Sequence, residues 1–265
     1  MAHPLICSIT TEQTATSTSD LAKQAAAKGA PSGSGFLAIE QTAGRGRRGR
    51  QWLSQKGGMY LSVVLRPTVK KKYWFALSFA ASLAALDTVR HQLAQHFDGK
   101  HMPQTGLKWP NDVFMSGGKI AGILLEAVGP TLVVGSGINI APVQASAHQG
   151  TNHEVSDHKV VEPVALADIW PQTAGNLPTP HELASCFMTR LVHWYSKFEQ
   201  SGFPPIRDEW LGNALFLGKA LSVWNGKKKI SGVFHDLGMD GALLLLDDSG
   251  HTHHITTGDV QLLDS

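Results

Sequence analysis

The chain has 265 residues, 42% of them apolar and 17% charged, with a formal net charge of +2; this fits one large core plus a smaller satellite and excludes disordered and fibrous classes. So small a net charge supplies no global field for DNA, RNA or an anionic membrane as the main partner. Cys7 and Cys186 lie far apart and outside any CxxC pair, so no disulfide framework exists and a reducing compartment is expected.

The start, Met1 to Ser8, has neither a basic region nor a sustained apolar stretch, and no later run approaches the roughly 18 apolar residues a membrane helix needs. A cytoplasmic protein is expected. Ser17 and Thr18 precede an alanine-rich helix, Asp20 to Lys28, that stops at Gly29. After a loop from Pro31 to Gly35, Phe36 to Glu40 reads as a strand feeding into the glycine-arginine stretch Gly44 to Arg50. Met59 to Leu65 is a second strand, and Tyr73 to Phe97 has helical spacing. Leu107 to Met115, Lys119 to Val128 and Thr131 to Ile140 read as three strands whose short turns imply antiparallel pairing. Ala141 to His158 reads as a polar surface loop, His181 to Gln200 as an amphipathic helix and Pro204 to Leu211 as a shorter one. From Phe216 onward short strands alternate with turns, beginning with Leu221 to Trp224 and the Asn225-Gly226 hairpin signal, then continuing through Ala242 to Leu246 and His251 to Ile255. The expected division is residues 1–214 and a small β domain over 215–265.

Three motifs carry chemistry. In Gln41-Thr42-Ala43-Gly44-Arg45-Gly46-Arg47-Arg48-Gly49-Arg50-Gln51-Trp52, glycines give a backbone that closes over an anion, and guanidinium groups bind phosphate or carboxylate oxygens. These residues alone fit an Arg/Gly-rich nucleic-acid tract equally well; their place after a strand inside a globular domain favours a pocket. In Leu107-Lys108-Trp109-Pro110-Asn111-Asp112-Val113, a lysine within an apolar strand calls for an anionic partner in a cleft, and Lys119 repeats the logic one strand later. Either lysine by itself fits a surface side chain whose stem lies on apolar neighbours. In Gly135-Ser136-Gly137-Ile138-Asn139, glycines within a strand permit close approach of a ligand, or simply a bulge. His251-Thr252-His253-His254 lacks partners at metal-ligand spacing, and Lys227-Lys228-Lys229 reads as a solubilising tip.

Together, GRGRRGR, KWPND followed by K-x-AGIL-x-E, and GxGxN resemble the hallmarks of the biotin-protein ligases, from about Ser17 through the β tail. The resemblance implies an α+β fold: a mixed, mainly antiparallel sheet with packed helices, class II synthetase-like, plus a small C-terminal SH3-like β-barrel. It implies ATP-dependent formation of biotinyl-5'-AMP and transfer of biotin to a lysine of the biotin carboxyl carrier protein of acetyl-CoA carboxylase or another biotin-dependent carboxylase. Lys108 and Arg45 would be catalytic. Ser17, Thr18, Gln41, Gly44, Arg45, Gly46, Lys108, Gly122, Gly135 and Gly137 would line the biotin pocket. Arg47, Arg48, Arg50, Trp52, Asn111, Lys119 and Asn139 would serve ATP or the adenylate. Mg²⁺ would accompany the nucleotide with no dedicated protein ligands assigned, and the base for the acceptor lysine is unassigned. Ser19 stands where the family often has Asn. Ser17 lies too near the start to leave room for the winged helix-turn-helix of DNA-binding relatives, so a short form without DNA binding, monomeric or homodimeric, is expected. Lipoate-protein ligases share the adenylation logic but differ in the arginine loop.

Overall fold

The computed structural model describes residues 5, 7–142, 162–225 and 228–263. The larger sheet comprises β1 (Ser8–Ala15), β2 (Ser34–Gln41), β3 (Gly58–Leu65), β4 (Thr105–Lys108), β5 (Asp112–Met115), β6 (Gly118–Val128) and β7 (Thr131–Asn139), in the order β1-β2-β3-β7-β6-β5-β4. Every neighbouring pair is antiparallel except β1 and β2. Four helices accompany it: α1 (Thr18–Ala27), α2 (Ala76–Leu93), α3 (Pro180–Ser201) and α4 (Pro204–Gly212). A five-stranded antiparallel sheet follows, built from β8 (Ala220–Asn225), β9 (Lys228–Leu237), β10 (Leu243–Leu246), β11 (Thr252–Ile255) and β12 (Asp259–Leu262), in the order β11-β10-β9-β8-β12. This is the α+β class expected from the sequence.

Side-chain alternation gives the large sheet two faces. On one, Leu61, Val63, Leu65, Val134 and Ile138 join the main core with α2 and α3. α2 is buried along nearly its whole length because its alanines let neighbours close in on more than one side. On the other face, α1 places Ala22 and Ala26 against Val64 and Val133, covering only one end. The rest of that face is left to the functional loop. Caps set the helix limits: the Ser17 hydroxyl accepts from the Ser19 amide at the start of α1, and Thr179 and Glu182 form a reciprocal capping box on α3.

Several departures from the sequence reading have physical causes. Leu107 to Met115 is a hairpin, β4 and β5, and not one strand: Pro110 has no N–H to donate, and Asn111 turns to β6, its carbonyl accepting from the Ile123 amide and its side-chain Nδ2 donating to the Ile123 carbonyl. β1, with exposed Thr and Glu and no apolar alternation, gave no signal; its strand conformation comes from pairing with β2. β12, missed likewise, pairs with β8. α2 begins at Ala76, after a separate 3-10 turn over Lys71–Tyr73, and ends at Leu93. Strands β8 and β9 pair through Asn225 and Lys228 as the Asn-Gly signal implies; Gly226 and Lys227, and the expected polar loop beyond residue 142, lie outside the described residues. Among the described residues no helix is long and apolar enough to cross a membrane.

The smaller sheet is fastened to the larger unit by polar bonds. The Arg207 guanidinium donates to both Asp236 oxygens at 2.5 Å, and its Nε donates to the Leu237 carbonyl at 2.7 Å. Trp109, in the β4–β5 turn, donates to the Gly241 carbonyl at 3.0 Å. Trp210 on α4 is fully buried, edge-on to Phe79 of α2, and donates to the Ser82 hydroxyl at 3.1 Å. Trp210→Ala opens a cavity between α2 and α4, and a loss of about 3–5 kcal/mol in chemical denaturation is expected; a loss below about 1 kcal/mol would contradict its place at the centre of that packing.

Candidate active site

Cross-strand register builds the site. Lys108 opposes Asp112, Asp112 opposes Gly122, Gly122 opposes Gly137, and Gly137 opposes Tyr60. Directly opposed residues of antiparallel strands point to the same side. One row across β4, β5, β6, β7 and β3 therefore presents a cation, a carboxylate, two bare glycines and a phenol on the face that α1 leaves open. The next row of β3, β7 and β6 carries Ser62, Gly135 and Leu124.

The two glycines form a trough, and the Trp52 indole lies in it. A Cβ on Gly137 would sit 2.6 Å from Trp52, and one on Gly122 would sit 2.9 Å from it. Only glycine fits at either position with the indole in place. Trp52 Nε1 is buried with no hydrogen-bond partner among the described residues. Lys119 stacks on the ring at 5.2 Å from its centroid and reaches Asp112 at 2.6 Å. Lys108 stands farther out, half-buried over the Phe114 ring at 5.2 Å, with no hydrogen bond or ion pair among the described residues. Burial pushes the Lys108 ammonium below the usual lysine range, with Asp112 opposing that effect.

At one end of the trough, α1 meets β2 and β3. The Thr18 amide donates to Gln41 Oε1 at 2.8 Å, and the Thr18 and Ser62 hydroxyls are 2.8 Å apart. Gln41 Nε2 donates to the Ser54 hydroxyl at 2.7 Å, which donates in turn to the Trp52 carbonyl at 3.0 Å. Gly44 sits among these groups: a Cβ there would be 2.4 Å from Ser54 Oγ and from the Trp52 carbonyl. Polar groups from Ser17 through Ser62 thus converge on one buried wall.

The arginine loop closes over this wall. Its base is tied by Gly46 N donating to the Arg50 carbonyl at 2.7 Å, and by an isolated bridge between Arg45 and Gln51. Arg48 takes the left-handed conformation at φ 56°, as does Gly49 at φ 73°. Its four arginines go three ways. Arg45 forks onto Asp20 at 2.5 and 3.0 Å. Arg47 donates to Asn111 Oδ1 at 3.1 Å, and burial lowers its pKa. Arg48 donates to Thr257 at 2.7 Å and lies 3.5 Å from Asp259, while Arg50 reaches both Asp259 oxygens at 2.5 Å. Beside Arg47 a cavity of about 220 Å³ opens between Trp109, Phe79, Leu124 and Gly241.

The structure thus brings together Thr18, Gln41, Gly44, Trp52, Lys108, Lys119, Gly122, Gly135 and Gly137, with Ser17 as the cap beneath them. Arg45 and Arg47 stand at the rim; Gly46 serves the loop base. Arg48 and Arg50 point to the smaller sheet. Asn111 Nδ2 donates to the Ile123 carbonyl while its Oδ1 accepts from Arg47, and Asn139 Nδ2 donates to the carbonyl of Val164 at 2.9 Å. Sequence reasoning assigned no role to Asp112 or Glu126, although they stand within the motifs of Lys108 and Lys119, and missed Ser62, Tyr60, Asp20 and Asp259, which only register or tertiary packing brings in. Among the described residues no group of three His, Cys, Asp or Glu side chains could hold a metal.

Residues 9–140 match the Biotin/lipoate A/B protein ligase family. The chain is 34% identical to a biotin--[acetyl-CoA-carboxylase] ligase of Paracoccus denitrificans, over 81% of this chain and 84% of that one. In structure it is similar to the biotin protein ligase of Aquifex aeolicus solved with biotin and ATP, at TM-score 0.75 and 26% identity over 97% of this chain and 99% of that one. It is also similar to the Leishmania major biotin protein ligase solved with biotinyl-5-AMP, at TM-score 0.59 and 26% identity over 97% and 98% of the two chains. Spanning both sheets, the arginine loop and the glycine trough, this likeness places the chain in the biotin-protein ligase family.

Proposed function

We propose that the protein is a biotin--[acetyl-CoA-carboxylase] ligase, and that residues 1–214 bind biotin and ATP while residues 215–265 form an SH3-like domain bordering the site. The observation that carries the reading is the single row from Lys108 to Gly137, lidded by an arginine loop. A carboxylate and a triphosphate repel, so joining them needs fixed positive charge beside a surface both can approach. Lys119 beside Gly122, with Lys108 farther along the row, meets that need.

The reaction runs in two steps. A biotin carboxylate oxygen forms a bond to the α-phosphorus of ATP, the bond to the bridging oxygen breaks, and pyrophosphate leaves. The acceptor lysine's nitrogen then bonds to the acyl carbon, AMP leaves, and the amine loses a proton. Thr18, Gln41 and their neighbours on the buried wall supply donors and acceptors for the polar end of biotin. Lys119, closest to Gly122, is placed for the joint between carboxylate and α-phosphate, and Lys108 flanks it. Trp52 must leave the glycines as the ligands enter, and a nucleobase offers its ring a new stacking surface. Arg47 and the loop would then keep water from the mixed anhydride. Asp112, the carboxylate in the row, is placed to orient the incoming ammonium and take its proton once Lys119 has turned to the phosphate. Mg²⁺ would be held by the ATP phosphates and water, which satisfies its oxygen shell without a protein carboxylate and leaves Asp112 free for the proton. When bound it would neutralise phosphate charge.

Pyrophosphate exchange with ATP, Mg²⁺ and either biotin or lipoate tests the reading: exchange with biotin is expected, and exchange with lipoate alone overturns it. Lys119→Ala is expected to lower the exchange rate by about 10²–10³ while the melting temperature holds, and near-normal exchange would remove Lys119 from the adenylation step. Burial lowers the Lys108 pKa and a bound anion would raise it again; calorimetric affinity for ATP with biotin should therefore weaken as pH rises through the lowered pKa, and Lys108→Met should abolish this alkaline limb. An unchanged limb in Lys108→Met would assign it to another group.

A further inference from the structure

Arg45 is the one loop arginine held by α1. Its guanidinium forks onto both oxygens of Asp20, at 2.5 and 3.0 Å. Asp20 lies in the first helical turn, two residues after Thr18, whose amide and hydroxyl meet Gln41 and Ser62 on the buried wall. The helix itself is pinned to the large sheet: Glu126 of β6 accepts from the Ser19 hydroxyl with one oxygen and from the Lys23 ammonium with the other. Arg45, by contrast, stands between Gly44 and Gly46 in a loop whose other arginines turn elsewhere. The fixed member of the pair is the carboxylate, and the adjustable one is the guanidinium.

We propose that Asp20 is a positioning residue for biotin: it anchors Arg45 to the rim beside the wall formed by Thr18, Gln41 and Ser62, where the guanidinium can meet the carboxylate end of the ligand. This rests on the biotin reading above. A fork–carboxylate pair defines the plane and direction of a guanidinium, which a single contact does not. Both partners are more than a third exposed, and exposed ion pairs contribute little to stability. The effect of losing Asp20 therefore falls on ligand affinity and leaves the fold intact. Ser19 belongs to the same arrangement: its hydroxyl is a donor that Glu126 uses to hold the turn carrying Asp20.

Calorimetric biotin affinity of the wild type, Asp20→Ala, Arg45→Ala and the double variant forms the test, with melting temperature read for each. Asp20→Ala is expected to weaken biotin binding about tenfold at an unchanged melting temperature, and to have no further effect in the Arg45→Ala background. In pyrophosphate exchange it should raise KM for biotin and leave kcat within about twofold, and Asp20→Glu should restore most of the KM. An equal loss of affinity in both backgrounds, or undiminished affinity in Asp20→Ala, overturns the proposal. Asp20→Asn, which keeps the size of the side chain, decides the matter the same way if Asp20→Ala melts early. A wild-type protein that binds no biotin sinks the functional reading and this proposal together, whereas wild-type binding with an additive cycle sinks the proposal alone.

Discussion

Two anions must be brought within bonding distance of each other, and the fold is arranged around that electrostatic difficulty. In the proposed mechanism the bare backbone of Gly122 and Gly137, on adjacent strands, lets substrates lie close to the sheet. Positive charge must then be fixed at the edge of that bare patch, and the register of β4, β5 and β6 delivers Lys108 and, with Asp112, Lys119. The opposite face of the same strands is closed by α2 and α3 into a rigid core, so the row cannot shift without disturbing the packing. Precision at the site is inherited from the core beneath it.

Closure works by exchange of partners. In the structure the arginines are paired with Asp20, Asn111 and Asp259, and the trough is filled by Trp52. Among the described residues of the rim, Lys108 is the cation whose ammonium has no hydrogen bond or ion pair. Under the proposed mechanism a substrate anion would take the place of such a partner, so no guanidinium need be left as a bare charge. The smaller sheet enters through Asp259 and Thr257, which hold Arg48 and Arg50, and through Gly241, which fixes Trp109 beside Lys108.

Much of this was legible in the sequence because the informative residues carry local signals. Ser17 and Gly29 bracket α1, short turns enforce antiparallel β4 to β7, and the arginine loop and lysine motifs declare their charge. What was hidden depends on pairing. β1 has no apolar pattern because it is an exposed edge, and the strand break at Pro110 lies inside a stretch whose outer residues, Leu107 and Val113 to Met115, continue a strand pattern. Asp112 was overlooked beside a more conspicuous lysine, yet register sets it in the middle of the row. The order of the two lysines relative to the glycines also needs the bulge between β5 and β6, which no periodicity reveals. The bond from Asn139 Nδ2 to the carbonyl of Val164, more than twenty residues away, likewise comes only from tertiary packing.

The most direct measurement is native mass spectrometry of the purified protein after incubation with biotin, ATP and Mg²⁺ in the absence of any acceptor. Retention of one biotinyl-AMP per chain, released on denaturation, is the predicted result, because lysines, glycines and loop together form one enclosure for the anhydride. A protein carrying unreacted biotin or ATP, and never their adenylate, would contradict it.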